Sequence, residues 1–531
     1  MRVRTEGGLE DLPCALDDST VPVTLTAVVF EGNERGSSPP ADILQLLEPL
    51  STPPQGERPV SVVCDIRDAV NQRLEAAGYI ALAQIPAQEI ADGVLTLRIV
   101  SARFTEMRVV GDVGGFEDTI RERALALQAL PTLNRREIER ALLAAGDIPG
   151  VDITMSISPA RDGVPGNVIG ILNVQTRRFQ AIANIQNYGS EQLGRWVATV
   201  RGEAYGLTGM SDRTVLTYSN SLEFDEIRVF QASHDFALND NGLRAELRGS
   251  MAWSVPDIEN LTLRSRSIIA GVEVQQQLVR SVNFNVLASG GFEFLQQRTL
   301  IESGGQDVPF SKDDLRVFYA RAQADYYQPL LSGGGHRISG YIELRKGFEF
   351  LGSSVRGQPN GRFSPSRFDG DPAAFVARAE VQGEVQVAGP LALEFGAFGQ
   401  WTNEPLLNLE EWTLGNFTYG RGYDPGANSG DRVLAGRIQP SIGIPVGQNA
   451  RIELLGFYDW VRIDNLDAGS VETGRELTSL GGGVRVLLPG RLSLEAYYAA
   501  PQDPALSTDD EPPPARFLLT LSTRFYPWGI N

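Results

Sequence analysis

The segment Arg451-Ile452-Glu453-Leu454-Leu455-Gly456-Phe457-Tyr458-Asp459-Trp460-Val461-Arg462 divides into two alternating sets of side chains. One set is apolar and consists of Ile452, Leu454, Tyr458 and Trp460. The other carries the charges and consists of Arg451, Glu453, Phe457 and Asp459. Successive side chains of a β-strand point to opposite faces, so this pattern predicts a strand with one apolar face and one charged face.

The same alternation continues to the end of the chain, and no helical spacing interrupts it after about residue 178. Such strands also occur in soluble sandwiches, but the 354 residues from 178 to 531 are too many for one sandwich and contain no linker. At roughly 22 residues per strand and connection, they predict about 16 antiparallel strands, an even number, as in bacterial outer-membrane barrels. We therefore expect an all-β transmembrane barrel that is wide enough for an aqueous channel.

In a membrane-spanning barrel, the charged face of each strand is expected to point to the lumen. A basic side chain on the lipid face costs about 2–4 kcal/mol at the bilayer midplane, so Asp459 and Glu453 should face the lumen. On the preceding strand, about residues 433–441, Arg437 and Gln439 belong to the polar face and are also predicted to line the lumen.

A long glycine-rich loop, about residues 405–431, separates two of these strands and carries Arg421 near its tip. Three glycines and a proline between Gly420 and Gly426 permit a tight turn that can approach a wall closely. If the loop folds inward, Arg421 can pair with Asp459, and Phe457 would lie beside Tyr423. The alternative is a solvated loop arginine and an ordinary lumen carboxylate.

Before the barrel, the chain mixes helices and strands. Residues 22–103 predict a β-α-α-β-β unit, with a helix from about Ser61 to Ala77, and residues 104–177 repeat the theme with a helix opened by Asn134. Residues 1–21 form an N-terminal extension. The sequence thus predicts α+β modules followed by the barrel.

The loop and the strand together resemble motifs of the TpsB transporters, the outer-membrane pores of two-partner secretion. Arg421-Gly422-Tyr423 with Gly430-Asp431 resembles the inward-folded plug-loop motif, and Phe457 with Asp459 resembles the barrel-wall motif that holds it. Two positions depart from the family pattern: Gly420 replaces a bulkier residue, and Val461 replaces a glycine.

The N-terminal modules resemble the two POTRA domains of that family. The first motif consists of Gly78, Tyr79, Pro86, Gln88, Asp92 and Gly93. The second module also fits a generic α+β unit. The resemblance implies a monomer in the lipid of the Gram-negative outer membrane, with periplasmic POTRA domains that bind a secreted exoprotein by strand addition and pass it through the barrel.

Other functions have weaker support. The net charge of −19 argues against nucleic-acid binding. We predict no enzyme activity, cofactor or metal, because neither His234 nor His336 has ligands at metal-binding spacing and the Glu410-Glu411 pair is one of many. Cys14 and Cys64 either form a disulfide or leave Cys64 as a buried helix residue. A barrel-assembly factor of the same superfamily and a passive porin are the alternative functions.

Overall fold

A computed structural model describes residues 3–5, 13–224, 226–239, 241–258, 261–330, 335–415, 417–447, 450–488 and 492–525. The rest of the predicted N-terminal extension, residues 1, 2 and 6–12, lies outside these ranges. The chain divides into two compact units, Met1–Arg177 and Arg178–Asn531. Among the described residues, no helix is long and apolar enough to cross a membrane.

The first part of the N-terminal unit is an α/β module with one apolar core. Its strands and helices are β2 (Pro22–Thr24), β3 (Ala27–Glu31), α1 (Ala41–Leu47), β4 (Glu57–Pro59), α2 (Val62–Ala76), β5 (Ala81–Gln84) and β6 (Val94–Ser101). Short 3-10 turns occupy Glu48–Leu50 and Ala91–Gly93. The sheet order is β3-β6-β5, and the buried side chains of α2 and β6 form its core. The order leaves β3 and β5 at the edges.

The second module repeats this plan with a longer sheet. It contains β7 (Arg103–Gly111), a 3-10 turn at Gly114–Phe116, α3 (Glu117–Gln128), α4 (Arg135–Gly146), β8 (Val151–Pro159) and β9 (Asn167–Thr176). The sheet order is β1-β8-β9-β7, where β1 (Val3–Thr5) comes from the N-terminal extension. As expected, the Asn134 side chain caps α4 by accepting a hydrogen bond from the Arg136 amide at 2.9 Å.

The two cysteines form a disulfide, which decides between the alternatives left open by the sequence. Cys14 is joined to Cys64, which is 1 % exposed within α2. The bridge ties the N-terminal extension to the first module, an arrangement that an oxidising compartment permits.

The C-terminal unit is a closed antiparallel barrel, as predicted. In the described part of the chain, its sixteen principal strands are β10 to β14, β16 to β21 and β24 to β28, and β28 pairs with β10 to close the wall. The first eight are β10 (Phe179–Gln186), β11 (Val197–Tyr205), β12 (Arg213–Ser221), β13 (Ile227–Ala237), β14 (Leu243–Ser254), β16 (Leu261–Arg280), β17 (Phe284–Ser303) and β18 (Gln306–Pro329), with the short β15 (Asp257–Ile258) at the end of β16. The other eight are β19 (Gly335–Gly347), β20 (Phe375–Ala388), β21 (Leu391–Thr402), β24 (Arg432–Val446), β25 (Ala450–Asp464), β26 (Arg475–Leu488), β27 (Leu492–Pro501) and β28 (Arg516–Phe525).

The two faces of the wall follow the alternation in the sequence. On β25, Leu454 and Tyr458 point outward and are 52 % and 42 % exposed, whereas Glu453, Phe457 and Asp459 point inward and are buried. On β24, the outward side chains are Leu434, Ile438 and Ile442. The wall therefore has an apolar outer surface and a charged inner surface that faces the lumen, as a transmembrane barrel requires.

Candidate functional site

The loop between β21 and β24 folds back into the barrel, and we call it the plug loop (residues 403–431). Its base is a short ribbon in which β22 (Trp412–Thr413) pairs with β23 (Ser429–Gly430). Gly415 has a φ of +84°, and a Cβ there would lie 2.1 Å from the Asp424 carbonyl oxygen. Only glycine fits such a contact, so this residue allows the ribbon to return on itself.

Arg421 at the tip forms a two-pronged ion pair with Asp459 on the lumen face of β25. The guanidinium donates from Nη2 to Oδ1 at 2.7 Å and from Nε to Oδ2 at 3.0 Å, and the Arg421 backbone amide also donates to Oδ2 at 3.0 Å. The two side chains are 2 % and 0 % exposed. A buried pair of this geometry satisfies both charges and fixes the position of the loop.

The wall around this pair completes the guanidinium's environment. Gln439 on β24 accepts a hydrogen bond from Arg421 Nη1 at 2.7 Å. The Phe457 ring lies under the guanidinium carbon at 3.7 Å, a cation–π contact. Phe457 was expected beside Tyr423, but the two aromatic residues belong to separate apolar clusters, because the arginine itself occupies the face of the Phe457 ring.

The residues after Arg421 press the tip against β26 and β27. Gly422 donates to the Ser479 hydroxyl at 3.3 Å, and a Cβ on this glycine would lie 2.7 Å from the Pro501 nitrogen. The Tyr423 side chain is fully buried, and its hydroxyl lies 3.0 Å from the Thr478 carbonyl oxygen. The Arg421-Gly422-Tyr423 tripeptide therefore contacts the wall at each of its residues.

The other predicted lumen residues do not bind the tip. Arg437 is the direct strand neighbour of Asp459 across β24 and β25, but it makes no hydrogen bond to the pair. Glu453 pairs on the same wall with Arg451 at 2.8 Å and Arg485 at 3.0 Å. These charges line the lumen next to the plug loop.

Asp431, which the sequence grouped with the Arg421 motif, belongs to a second charge cluster where the plug loop ends. Arg367, in the long connection between β19 and β20, donates to Asp431 at 2.6 and 3.0 Å and to Glu411 at 2.5 Å. Arg367 also pairs with Asp467, in the connection between β25 and β26. We call this group the outer clasp, because one guanidinium joins three connections that follow outward-running strands. Gly430 lies beside it, where a Cβ would meet Ile463 at 2.3 Å.

The predicted motif of the first α/β module serves the fold of that module. Gln88 bridges to Thr96 through both of its amide atoms, at 2.7 and 2.8 Å. The carbonyls of Asp92 and Gly93 accept hydrogen bonds from Thr26. The remaining motif residues are Gly78, with a φ of +87°, Pro86, and Tyr79, whose hydroxyl donates to Asp42 at 2.7 Å.

Tyr79 also joins the two modules of the N-terminal unit, since it forms an isolated β-bridge with Asn134. Burial and the nearby Asp42 carboxylate raise the pKa of Tyr79 to about 12. The tyrosine therefore stays a neutral hydrogen-bond donor at physiological pH.

His234 lies on β13 and contacts a hydroxyl of the strand beside it. His234 Nδ1 lies 2.9 Å from the Thr214 hydroxyl on the neighbouring strand. In the described part of the chain, no group of three or more His, Cys, Asp or Glu could hold a metal ion.

Comparison with known proteins identifies the architecture. The family model for the haemolysin secretion/activation proteins ShlB, FhaC and HecB matches residues 166–486. No protein of curated function matches the sequence significantly. CdiB from Escherichia coli aligns with a TM-score of 0.73 and 16 % identity, over 98 % of this chain and 94 % of CdiB.

Two further solved structures share the fold. CdiB from Acinetobacter baumannii aligns with a TM-score of 0.66 and 14 % identity, over 98 % of this chain and 95 % of that protein. BamA from Haemophilus ducreyi lacking POTRA domains 1–3 aligns with a TM-score of 0.52 and 13 % identity, over 95 % and 100 %. At these identities the likeness concerns the fold alone.

Proposed function

Because the chain belongs to the ShlB/FhaC/HecB family of outer-membrane two-partner secretion transporters, we propose that it secretes one partner exoprotein. In this proposal the partner's N-terminal secretion domain binds in the periplasm and its unfolded chain leaves through the barrel lumen. The direction of movement would come from folding of the partner outside the cell, since no nucleotide site is needed.

The observation that carries this proposal is the buried Arg421–Asp459 pair between the plug loop and the lumen wall. The pair sits inside the barrel, where a translocating chain would have to pass. The charged groups of this pair can exchange their mutual hydrogen bonds for water when the tip leaves its seat, whereas release also uncovers buried apolar residues of the loop such as Leu414 and Tyr423. A passive solute pore, the alternative, would have no use for the two α/β modules that precede the barrel.

The two α/β modules are proposed to be the docking site, as POTRA domains at residues 22–103 and 104–177. The first sheet ends at the short strands β3 and β5, and the second ends on one side at β7, which is nine residues long. An unpaired edge offers backbone N–H and C=O groups to an extended segment of another protein. An unfolded secretion domain is a suitable occupant, because its backbone is free to add a strand.

Deletion of residues 22–103 tests the docking role. The deletion variant also carries Cys14→Ser, and the control is full-length protein with Cys14→Ser and Cys64→Ser, which lacks only the disulfide. Pull-down of the purified secretion domain of the exoprotein encoded beside this gene should succeed with the control and fail with the deletion. Recovery of that domain by the deletion variant, with its barrel folded by heat-modifiable gel mobility, would refute docking on the first module.

A further inference from the structure

The adjacent carboxylates Glu410 and Glu411 lie in the first limb of the plug loop and contact different arginines. Glu411 takes part in the outer clasp, whereas Glu410 points to the barrel wall. Glu410 is 7 % exposed although it lies in a loop, and it does not contact the Arg421–Asp459 pair. A buried carboxylate outside the main pair needs its own explanation.

Glu410 has two arginine partners on the lumen face of the wall. Arg345 on β19 donates to it from Nη2 at 2.6 Å and from Nε at 3.0 Å, and Arg378 on β20 donates at 3.1 Å. The Glu410 backbone carbonyl accepts two more hydrogen bonds, from Arg378 at 3.0 Å and from Gln400 at 3.2 Å. Side chain and backbone are thus fixed to three consecutive strands.

In this contact the loop and the wall carry the opposite charges to those of the tip pair, and the contact lies on another part of the barrel wall. At the tip the loop supplies the guanidinium and the wall the carboxylate, whereas here the loop supplies the carboxylate. The strands β21 and β24 separate Arg378 on β20 from Asp459 on β25. The two contacts therefore hold the loop at two separated places.

Apolar packing next to Glu410 holds the same limb. Leu407 is 2 % exposed and packs with Leu295, Leu315 and Val317, and Leu406 is 1 % exposed and packs with Ala374 and Val376. The limb that includes Glu410 is consequently docked on β17 to β20 by its own contacts, none of which involves Arg421.

We propose that Glu410 is a positioning residue that anchors the first limb of the plug loop independently of the tip. This inference rests on the plug role proposed above. Release of Arg421 from Asp459 then frees only the tip, and the lumen opens partially. The lumen opens fully only when Glu410 also leaves Arg345 and Arg378.

Single-channel recording of the purified full-length protein in planar lipid bilayers, without exoprotein, tests this inference. Arg421→Gln should show mainly an intermediate conductance level. Adding Glu410→Gln should raise the ratio of time at full conductance to time at the intermediate level by about tenfold or more, as expected for loss of a hydrogen-bonded buried charge. The matched control is Arg421→Gln with Asp510→Asn, which removes an exposed carboxylate and should leave the ratio of Arg421→Gln unchanged.

If Glu410→Gln leaves the ratio of full to intermediate conductance time unchanged, Glu410 is not an anchor. The proposal is also overturned if Asp510→Asn raises that ratio as much as Glu410→Gln does. If the Glu410→Gln barrel does not fold by heat-modifiable gel mobility, Arg378→Gln replaces it, because Arg378 is less buried than Arg345 and loses only part of the contact. That variant should give a smaller increase in the same ratio, and no increase would count against the proposal. The recording uses no exoprotein, so a negative result would refute the Glu410 anchor without bearing on exoprotein docking, which the pull-down tests.

Discussion

The strength of the tip pair can be measured with Arg421→Ala, Asp459→Ala and the double variant. Arg421→Ala removes both prongs of the ion pair, the bond to Gln439 and the stacking on Phe457. Among the described residues, the residue-421 backbone amide is then the one remaining hydrogen-bond donor to the fully buried Asp459 carboxylate. An uncompensated buried charge costs about 3–5 kcal/mol.

Part of that cost is recovered when the loop leaves its seat and water reaches Asp459, so we expect a net shift of about 3 kcal/mol toward the unseated loop. This corresponds to a change of about 100-fold in the ratio of unseated to seated loop. The double variant should be closer to the wild type than Arg421→Ala, because neither charge is then left unpaired.

Open probability in planar bilayers provides the measurement, and secretion of the exoprotein, together with heat-modifiable gel mobility, is recorded in parallel. Secretion should fall sharply with Arg421→Ala while the barrel still assembles. A coupling free energy between the two substitutions below about 0.5 kcal/mol would refute the pair as the lock of the tip. Undiminished secretion by Arg421→Ala would remove the plug role.

Two further predictions concern the disulfide and pH. Replacing Cys14 and Cys64 by serine should lower the unfolding free energy of the N-terminal unit by about 4 kcal/mol, because the disulfide closes a sequence separation of 50 residues. Denaturant titration of the full chain measures this change. An unchanged unfolding midpoint for the N-terminal unit would contradict the prediction. Burial raises the pKa of Glu411, a residue of the plug loop and not of a membrane-spanning strand, from 4.5 to about 7, with Arg367 opposing the rise and Asp431 and Asp467 adding to it. Between pH 4.5 and 7, Glu411 therefore stays protonated in the clasped state but loses its proton when the clasp is released, so rising pH should weaken the clasp. The open probability of the wild type should rise over that interval, whereas that of Glu411→Gln should stay constant. Equal pH profiles for the two proteins would disprove the assignment.

Strand parity predicted most of what faces the lumen. Glu453 and Asp459 share a face in the sequence because the period of a strand is fixed, and a charged face must avoid lipid. The pairing of Arg421 with Asp459 needed more than parity, since the loop could have remained in solvent. It was expected from the resemblance of the Arg421 and Asp459 motifs to those of the TpsB transporters, and it is physically reasonable because a guanidinium and a carboxylate satisfy each other when both are buried.

The partners of Glu410 and Asp431 could not be predicted in the same way. The two carboxylates are paired with Arg345, Arg367 or Arg378, which lie 32 to 65 residues away from their partners along the chain, so the pairing depends on how the strands align around the barrel. An acidic pair in a loop looks the same in sequence whether it is solvated or buried. The role of Phe457 was likewise decided by a contact with the arginine, because a ring can pack against a cation as well as against another ring.

The use of ion pairs at both anchors has a physical consequence for a loop that must move in the proposed function. An apolar seat would gain about 25 cal/mol per Å² of buried surface and would expose that surface to the aqueous lumen on release. A buried ion pair spends much of its attraction on desolvation, so the pair itself adds little net free energy to the seated state, while the loss of one partner alone is costly. The pair thus defines one seated position without making it permanent, and a second anchor on another sector of the wall lets the loop open in two steps.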